Sequence, residues 1–92
     1  MQQKLEYQNK GRGGNVIYTD DQSTISLSFE FGGGDCVAII FTPTAAGWER
    51  DTGRPLADRE GILNFIARQA VNDQTSGGTY QLTDGFIEIF KS

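Results

Sequence analysis

The sequence lacks histidine altogether and contains only one cysteine and two prolines among its 92 residues. Without histidine, the Ser-His-Asp and Cys-His arrangements that activate a nucleophile cannot form, and neither can the usual zinc-ligand sets. A single cysteine cannot form a disulfide within the chain, which agrees with a reducing compartment. We therefore expect a non-catalytic protein with no metal site and no cofactor, because carboxylates are the only protein ligands left for a metal ion.

Long apolar runs and an excess of positive charge are also missing. No apolar run approaches the roughly 20 residues of a membrane helix, and the opening residues MQQKLEYQNK lack the apolar stretch of a secretory signal. We expect a cytoplasmic protein with no membrane partner. Eight basic and twelve acidic side chains give a formal net charge of −4, which repels nucleic-acid phosphates over most of the surface. Nucleic acid is therefore not an expected partner.

The length favours one domain, residues 1–92, because domains typically hold about 100 to 150 residues. The share of apolar residues is close to that of ordinary globular domains, so burial can offset the lost chain entropy. A core of this size gives only marginal stability on its own. A homodimer is therefore one expectation.

Alternating apolar and polar residues predict a sheet. TISLSFEF, residues 24–31, has period two and predicts a strand with one buried face. CVAIIF, residues 36–41, is apolar on both faces, which is typical of a strand in the centre of a sheet or covered on both sides. Further strands are predicted at KLEYQ (4–8), NVIYT (15–19), GTYQL (78–82) and GFIEIFK (85–91).

One helix is predicted from about residue 55 to 74, where apolar residues recur at three- and four-residue spacing. Pro55 suits the first helical position, and Asp58 is the alternative N-cap if the regular part starts later. Gly61 indicates either that later start or close packing on the sheet, and we favour close packing. The expected fold is α+β, with two layers: a mostly antiparallel sheet of five or six strands in the order ββββ-α-ββ, packed against one helix.

Two glycine-rich segments are interpreted as turns. FGGGDC, residues 31–36, leads into a strand and not into a helix, so it does not match a phosphate-binding loop. Its Cys36 has no neighbouring base or positive charge in the sequence, so we expect a structural thiol. NKGRGG, residues 9–14, could hold an anion through Lys10 and Arg12, but a hairpin tip with two solvated charges is the simpler interpretation.

The candidate binding segment is TPTAAGWERDTGRP, residues 42–55. It shows no regular pattern, and irregular connections of more than about 12 residues in compact domains tend to be functional. Tryptophan and arginine are enriched in interaction hot spots, and nearby acidic residues can orient the guanidinium groups. The candidate binding residues are Trp48, Glu49, Arg50, Asp51 and Arg54. The alternative is that Trp48 closes one end of the core while the charges are solvated or paired with each other.

The leading functional hypothesis is a small acidic binding domain that docks a protein partner through residues 42–55 and a sheet face or edge. An inhibitor or immunity-like role is one form of it, because acidic inhibitors can dock basic proteins by charge complementarity. Two alternatives remain open. One is a small-ligand-binding domain or carboxylate-based enzyme with Asp51, Arg54 and Glu60 around a helix-sheet pocket. The other is a structural subunit whose dimer continues one sheet across an edge.

Overall fold

The computed structural model describes residues 2–92, which form one sheet and a helical layer on one of its faces. The elements are β1 (Lys4–Lys10), β2 (Gly13–Thr19), β3 (Thr24–Phe31), β4 (Cys36–Phe41), α1 (Trp48–Thr52), a 3₁₀ turn (Leu56–Asp58), α2 (Arg59–Gln74), β5 (Thr79–Leu82) and β6 (Phe86–Phe90). The predicted α+β fold and the order ββββ-α-ββ are confirmed.

The strands of the described chain form one antiparallel sheet in the order β1-β2-β3-β4-β6-β5. The first four strands follow one another as a meander, and the final hairpin inserts β6 beside β4. Strands β4 and β6 are the two that are apolar on both faces, and they lie side by side in the interior of the sheet. The edges are left to β1, which carries three charged residues, and to the short β5.

The core lies between one face of this sheet and α2. Alternate residues of β3 point into it, namely Ile25, Leu27 and Phe29, while the intervening residues are exposed. From α2, the buried residues recur at helical spacing and cover the sheet along one stripe. They are Ile62, Leu63, Ile66, Ala67 and Ala70.

The main helix starts later than residue 55. Pro55 has extended backbone, with ψ 145°, the 3₁₀ turn follows it, and α2 begins at Arg59. Asp58 occupies the N-cap position, but its side chain makes no hydrogen bond to the first turn of the helix. Close packing of Gly61 is not observed, because this residue is exposed and a Cβ there would have open space around it. The later start explains Gly61 instead, since it lies in the first turn.

No helix in residues 2–92 has both the length and the apolar character needed to cross a membrane.

The segment 42–55 contains the short helix α1, so its description as irregular is wrong in part. Gly47 lies at the start of α1 and accepts a hydrogen bond from the Asp51 N–H at 2.9 Å. Gly53 ends the helix in the left-handed region, with φ 72°, and its N–H donates to Glu49 O at 2.9 Å. A left-handed glycine is the usual helix terminator, but a helix of this length carries too little periodicity to be detected in the sequence.

Both glycine-rich segments are turns, as predicted. The β1–β2 turn is shorter than NKGRGG, because only Gly11 and Arg12 lie between the two strands. Gly14, within β2, has φ 158°, and a Cβ there would clash with the main chain of Gln8. In the second segment, the Cys36 N–H donates to Gly33 O at 3.1 Å and closes the connection between β3 and β4.

Candidate functional site

Trp48, the central residue of the predicted binding segment, is entirely buried. Helix α1 holds its side chain in the core, and the indole Nε1–H donates to Pro55 O at 3.0 Å. A buried indole normally finds such a partner, because an unsatisfied N–H is costly. Trp48 thus closes one end of the core and has no exposed atom with which to contact a partner in this conformation.

Arg54 is buried as well and connects three parts of the chain. Its Nη1 lies 3.0 Å from both carboxylate oxygens of Asp20 and 2.9 Å from Ser23 Oγ. Its Nη2 lies 3.2 Å from Asp58 Oδ2, and the Arg54 and Asp20 side chains are 5% and 0% exposed. This ion-pair network joins the β2–β3 turn to the residue that precedes α2.

The Asp20 carboxylate is held in its ionised form. Burial by itself would raise its pKa, but hydrogen bonds from the Tyr18 hydroxyl, the Gln22 and Ser23 N–H groups and the Arg54 guanidinium outweigh that effect. The pKa of Asp20 therefore lies well below the usual aspartate value. A carboxylate whose pKa is lowered in this way is a weak base and is not protonated near neutral pH, so it is poorly suited to general acid-base catalysis.

The remaining predicted binding residues are exposed. Glu49 Oε2 accepts a hydrogen bond from the Leu56 N–H at 3.0 Å, and Leu56 itself is 48% exposed. Arg50 and Asp51 form a pair with Nε–Oδ1 at 2.9 Å. The structure thus divides the predicted site, because Trp48 and Arg54 face inward whereas the three residues between them on α1 face solvent.

The pocket hypothesis requires polar groups to converge between the helix and the sheet. The groups it named do not converge, since Asp51 pairs with Arg50, Glu60 is exposed and Arg54 pairs with Asp20 and Asp58. An apolar crevice between α2 and the sheet holds only about 20 Å³, close to the size of one water molecule. A larger open cleft of about 410 Å³ lies beside Arg54, whose charge is already neutralised by Asp20.

The face of the sheet that α2 leaves uncovered carries an apolar cluster on β4 and β6. We define the β4/β6 patch as Ile39, Phe41, Phe86 and Phe90. Phe41 lies directly opposite Phe86 in the β4–β6 register and is 40% exposed. The inward residues of the same strands, such as Ile40 and Ile87, belong to the core, so alternation places the patch on the opposite face.

Two carboxylates flank this patch. Ile39 lies opposite Glu30 of β3 on one side and opposite Glu88 of β6 on the other. In residues 2–92, neither carboxylate takes part in an ion pair or a side-chain hydrogen bond. The β4/β6 patch is therefore an apolar surface with an unpaired carboxylate on either side of Ile39.

None of the patch residues was among the predicted binding residues, although both strands carried a signal for the patch. CVAIIF and FIEIF are apolar at successive positions, so each presents apolar residues on both faces. With a single main helix available to cover the sheet, one of those faces has to remain open. Of the two alternatives for β4, a central position or cover on both sides, the structure shows the central position.

No group of three or more His, Cys, Asp or Glu side chains in residues 2–92 is arranged to hold a metal ion. Compared with protein-family models, with curated proteins and with solved structures, the chain matches none of them.

Proposed function

We propose that this protein is a non-catalytic binding domain that docks a basic protein partner through the β4/β6 patch. The observation that carries the proposal is the combination of the exposed Phe41 and the half-buried Phe86 and Phe90 with the unpaired carboxylates of Glu30 and Glu88. Contiguous exposed apolar residues rimmed by polar ones are typical of protein interaction sites. Phenylalanine is also enriched in the buried centres of such interfaces.

The charge of the patch supports a basic partner. Glu30 and Glu88 lie on either side of Ile39, and the chain as a whole carries a formal charge of −4. A partner with lysine or arginine around an apolar centre would pair with both carboxylates while covering the phenylalanines. Such complementarity mainly accelerates association and excludes wrong partners. An inhibitor of a basic enzyme or toxin is one form that this function takes.

The exposed side of α1 supplies a second, smaller contact in this proposal. Glu49, Arg50 and Asp51 remain available at the surface. Trp48 and Arg54 contribute indirectly, because they hold α1 and the start of α2 in place. Binding through residues 42–55 therefore depends on the charged residues of α1 and not on the tryptophan.

Affinity purification from the native cells, followed by quantitative mass spectrometry, tests the proposal. The wild-type chain is compared with a Phe41→Thr, Phe86→Thr double variant, which keeps strand-forming side chains while removing the aromatic surface. A Ser26→Ala, Ser28→Ala variant on β3 is the matched control on the same face. A partner that binds the patch is lost by about tenfold or more in the first variant and retained in the second.

The charge component is tested on the same partner. Glu30→Lys with Glu88→Lys should slow association strongly, whereas raised salt should weaken wild-type binding. A partner retained equally by all variants contradicts the proposal. Light scattering at several concentrations tests the rival hypothesis that a second copy of the chain covers the patch. A wild-type dimer that is lost in the Phe41→Thr, Phe86→Thr variant would support that hypothesis over a different protein partner.

A further inference from the structure

The two edges of the sheet differ in how well they are protected. Edge strand β1 carries Lys4, Glu6 and Lys10, and charged residues on an edge discourage pairing with another strand. Edge strand β5, Thr79–Leu82, carries no charged residue. The β5 edge is thus the more receptive of the two to an added strand.

Hydrogen bonding at the end of β5 shows which main-chain groups are free. The Thr83 N–H donates to Phe86 O at 2.9 Å, which fixes this pair as hydrogen-bonded. Hydrogen-bonded and non-hydrogen-bonded pairs alternate along an antiparallel ladder. The main-chain N–H and C=O groups of Tyr80 and Leu82 consequently point away from β6, toward the open edge.

A groove of about 420 Å³ runs beside this edge, between β5 and one stripe of α2. The stripe consists of Asn64, Arg68 and Val71, at four- and three-residue spacing on one helix face, and is continued by Thr75, the residue that follows the helix. Two of its members fix the strand, because the Tyr80 hydroxyl donates to Asn64 Oδ1 at 3.0 Å and the Gly78 N–H donates to Thr75 Oγ1 at 2.9 Å. Arg68 and Val71 are left to line the groove.

Arg68 gives the groove a positive charge. It is exposed and, within residues 2–92, has no carboxylate oxygen within 4.0 Å. In a chain with net charge −4, most other arginines are neutralised by a close acidic partner, as Arg54 is by Asp20. An unpaired guanidinium beside a free strand edge favours a carboxylate-bearing ligand.

We propose that this groove binds a short, extended acidic peptide segment of another protein, which adds to the sheet as a strand beside β5. Main-chain groups of Tyr80 and Leu82 provide the ladder, Arg68 pairs with an acidic side chain, and Val71 contacts an apolar one. The brevity of β5 argues for a peptide and against a second copy, because pairing four residues buries far less than the roughly 1,200 Å² of a stable interface. This inference does not depend on the β4/β6 patch.

The probe is a capped peptide of alternating glutamate and valine residues, and the matched control has lysine in place of glutamate. The glutamate peptide should bind about tenfold or more tightly by fluorescence anisotropy. Its amide chemical-shift changes should fall on β5 and on the Arg68 face of α2. Arg68→Glu should reverse the preference between the peptides, whereas Arg12→Glu, at the β1–β2 turn, should leave it unchanged.

Main-chain pairing is tested by N-methylation of alternate peptide residues. One set of methyl groups should abolish binding and the other should not, because only alternate N–H groups of an added strand face β5. The proposal would be overturned if both peptides bound equally, if neither bound, or if the chemical-shift changes were confined to the β4/β6 patch. It would also be overturned if sedimentation experiments showed a dimer formed through β5. The Phe41→Thr, Phe86→Thr variant should bind the peptide normally, so failure here is distinguishable from failure of the proposed function.

Discussion

The two halves of the uncovered sheet face differ in their side chains. Over β1 to β3 the outward residues are mostly polar, with Ile17 as the exception. They include Lys4, Glu6, Gln8, Asn15, Thr19, Ser26 and Ser28. Over β4 and β6 the same face carries the β4/β6 patch. If apolar residues served folding alone, the whole face would resemble its first half, so the second half calls for a further role. The rival explanation is that Phe and Ile are present there because they favour strands.

The largest expected loss of stability comes from a substitution in the core, on the side of the sheet that the helices cover. Trp48→Ala should lower the free energy of unfolding by about 3–5 kcal/mol, because it leaves a cavity where a buried indole packed. Urea denaturation measures this change. Arg50→Ala, in the same short helix but exposed, is the control and should leave the denaturation midpoint unchanged. Equal effects of the two substitutions would show that α1 does not seal the core.

The loss of stability on breaking the buried Asp20–Arg54 ion pair should be nearly as large. Asp20→Asn leaves the Arg54 charge buried without its main partner, which should cost about 3–5 kcal/mol of stability. Asp21→Asn, at the adjacent exposed position, is the matched control for chemical denaturation. A cost below about 1 kcal/mol would mean that the network is solvated in solution.

The same carboxylate predicts how stability depends on pH. The pKa of Asp20 is lower in the folded chain than the unfolded value of about 3.9, so the folded chain binds fewer protons there. Its contribution is complete above that unfolded value and is lost as the pH falls below it. The thermal midpoint of the wild type should therefore fall more steeply below about pH 4 than that of Asp20→Asn. Parallel curves would contradict the assignment.

A smaller effect on stability is expected for the β4/β6 patch. Phe41→Thr and Phe86→Thr should each cost about 1 kcal/mol or less, since the residues contribute one cross-strand pair on a solvated face. Thermal and urea denaturation measure the cost. A loss above about 2 kcal/mol for either residue would favour the strand-stability explanation and weaken the contrast between the two halves.

The smallest expected effect is a gain in stability. Gly61→Ala should stabilise the protein by about 0.5–1 kcal/mol, because the position is helical, exposed and open around a new Cβ. Gly14→Ala is the contrasting variant and should destabilise, since side chains rarely adopt its φ of 158° and the added Cβ would clash with the main chain of Gln8. Destabilisation by both would restore the view that Gly61 packs closely on the sheet.

Local pattern was sufficient to predict most of the fold. Strands β3 and β4 have the predicted bounds, because alternation in one and an unbroken apolar run in the other are strong signals. The start of α2 was placed too early, since Pro55 and Leu56 match a helical pattern while forming an extended residue and a 3₁₀ turn. Helix boundaries depend on such local geometry, which a residue pattern does not determine.

The candidate sites were less accessible to prediction. Asp20 lies at the β2–β3 turn, where its carboxylate accepts hydrogen bonds from the Gln22 and Ser23 N–H groups. Its pairing with Arg54, 34 residues away, depends on the path of the whole chain and leaves no local signal. The β4/β6 patch could have been inferred from two strands that are apolar on both faces, once a single main helix was predicted to cover them.

A photo-crosslinker placed on the uncovered face tests the central claim most directly. A benzoylphenylalanine at the position of Phe41 is compared in native cells with one at the position of Ser26, on the polar half of the same face. We predict a covalent adduct with a basic protein at the first position and none at the second. Equal crosslinking at both positions, or none at either, would contradict the claim that the β4/β6 patch is the docking surface.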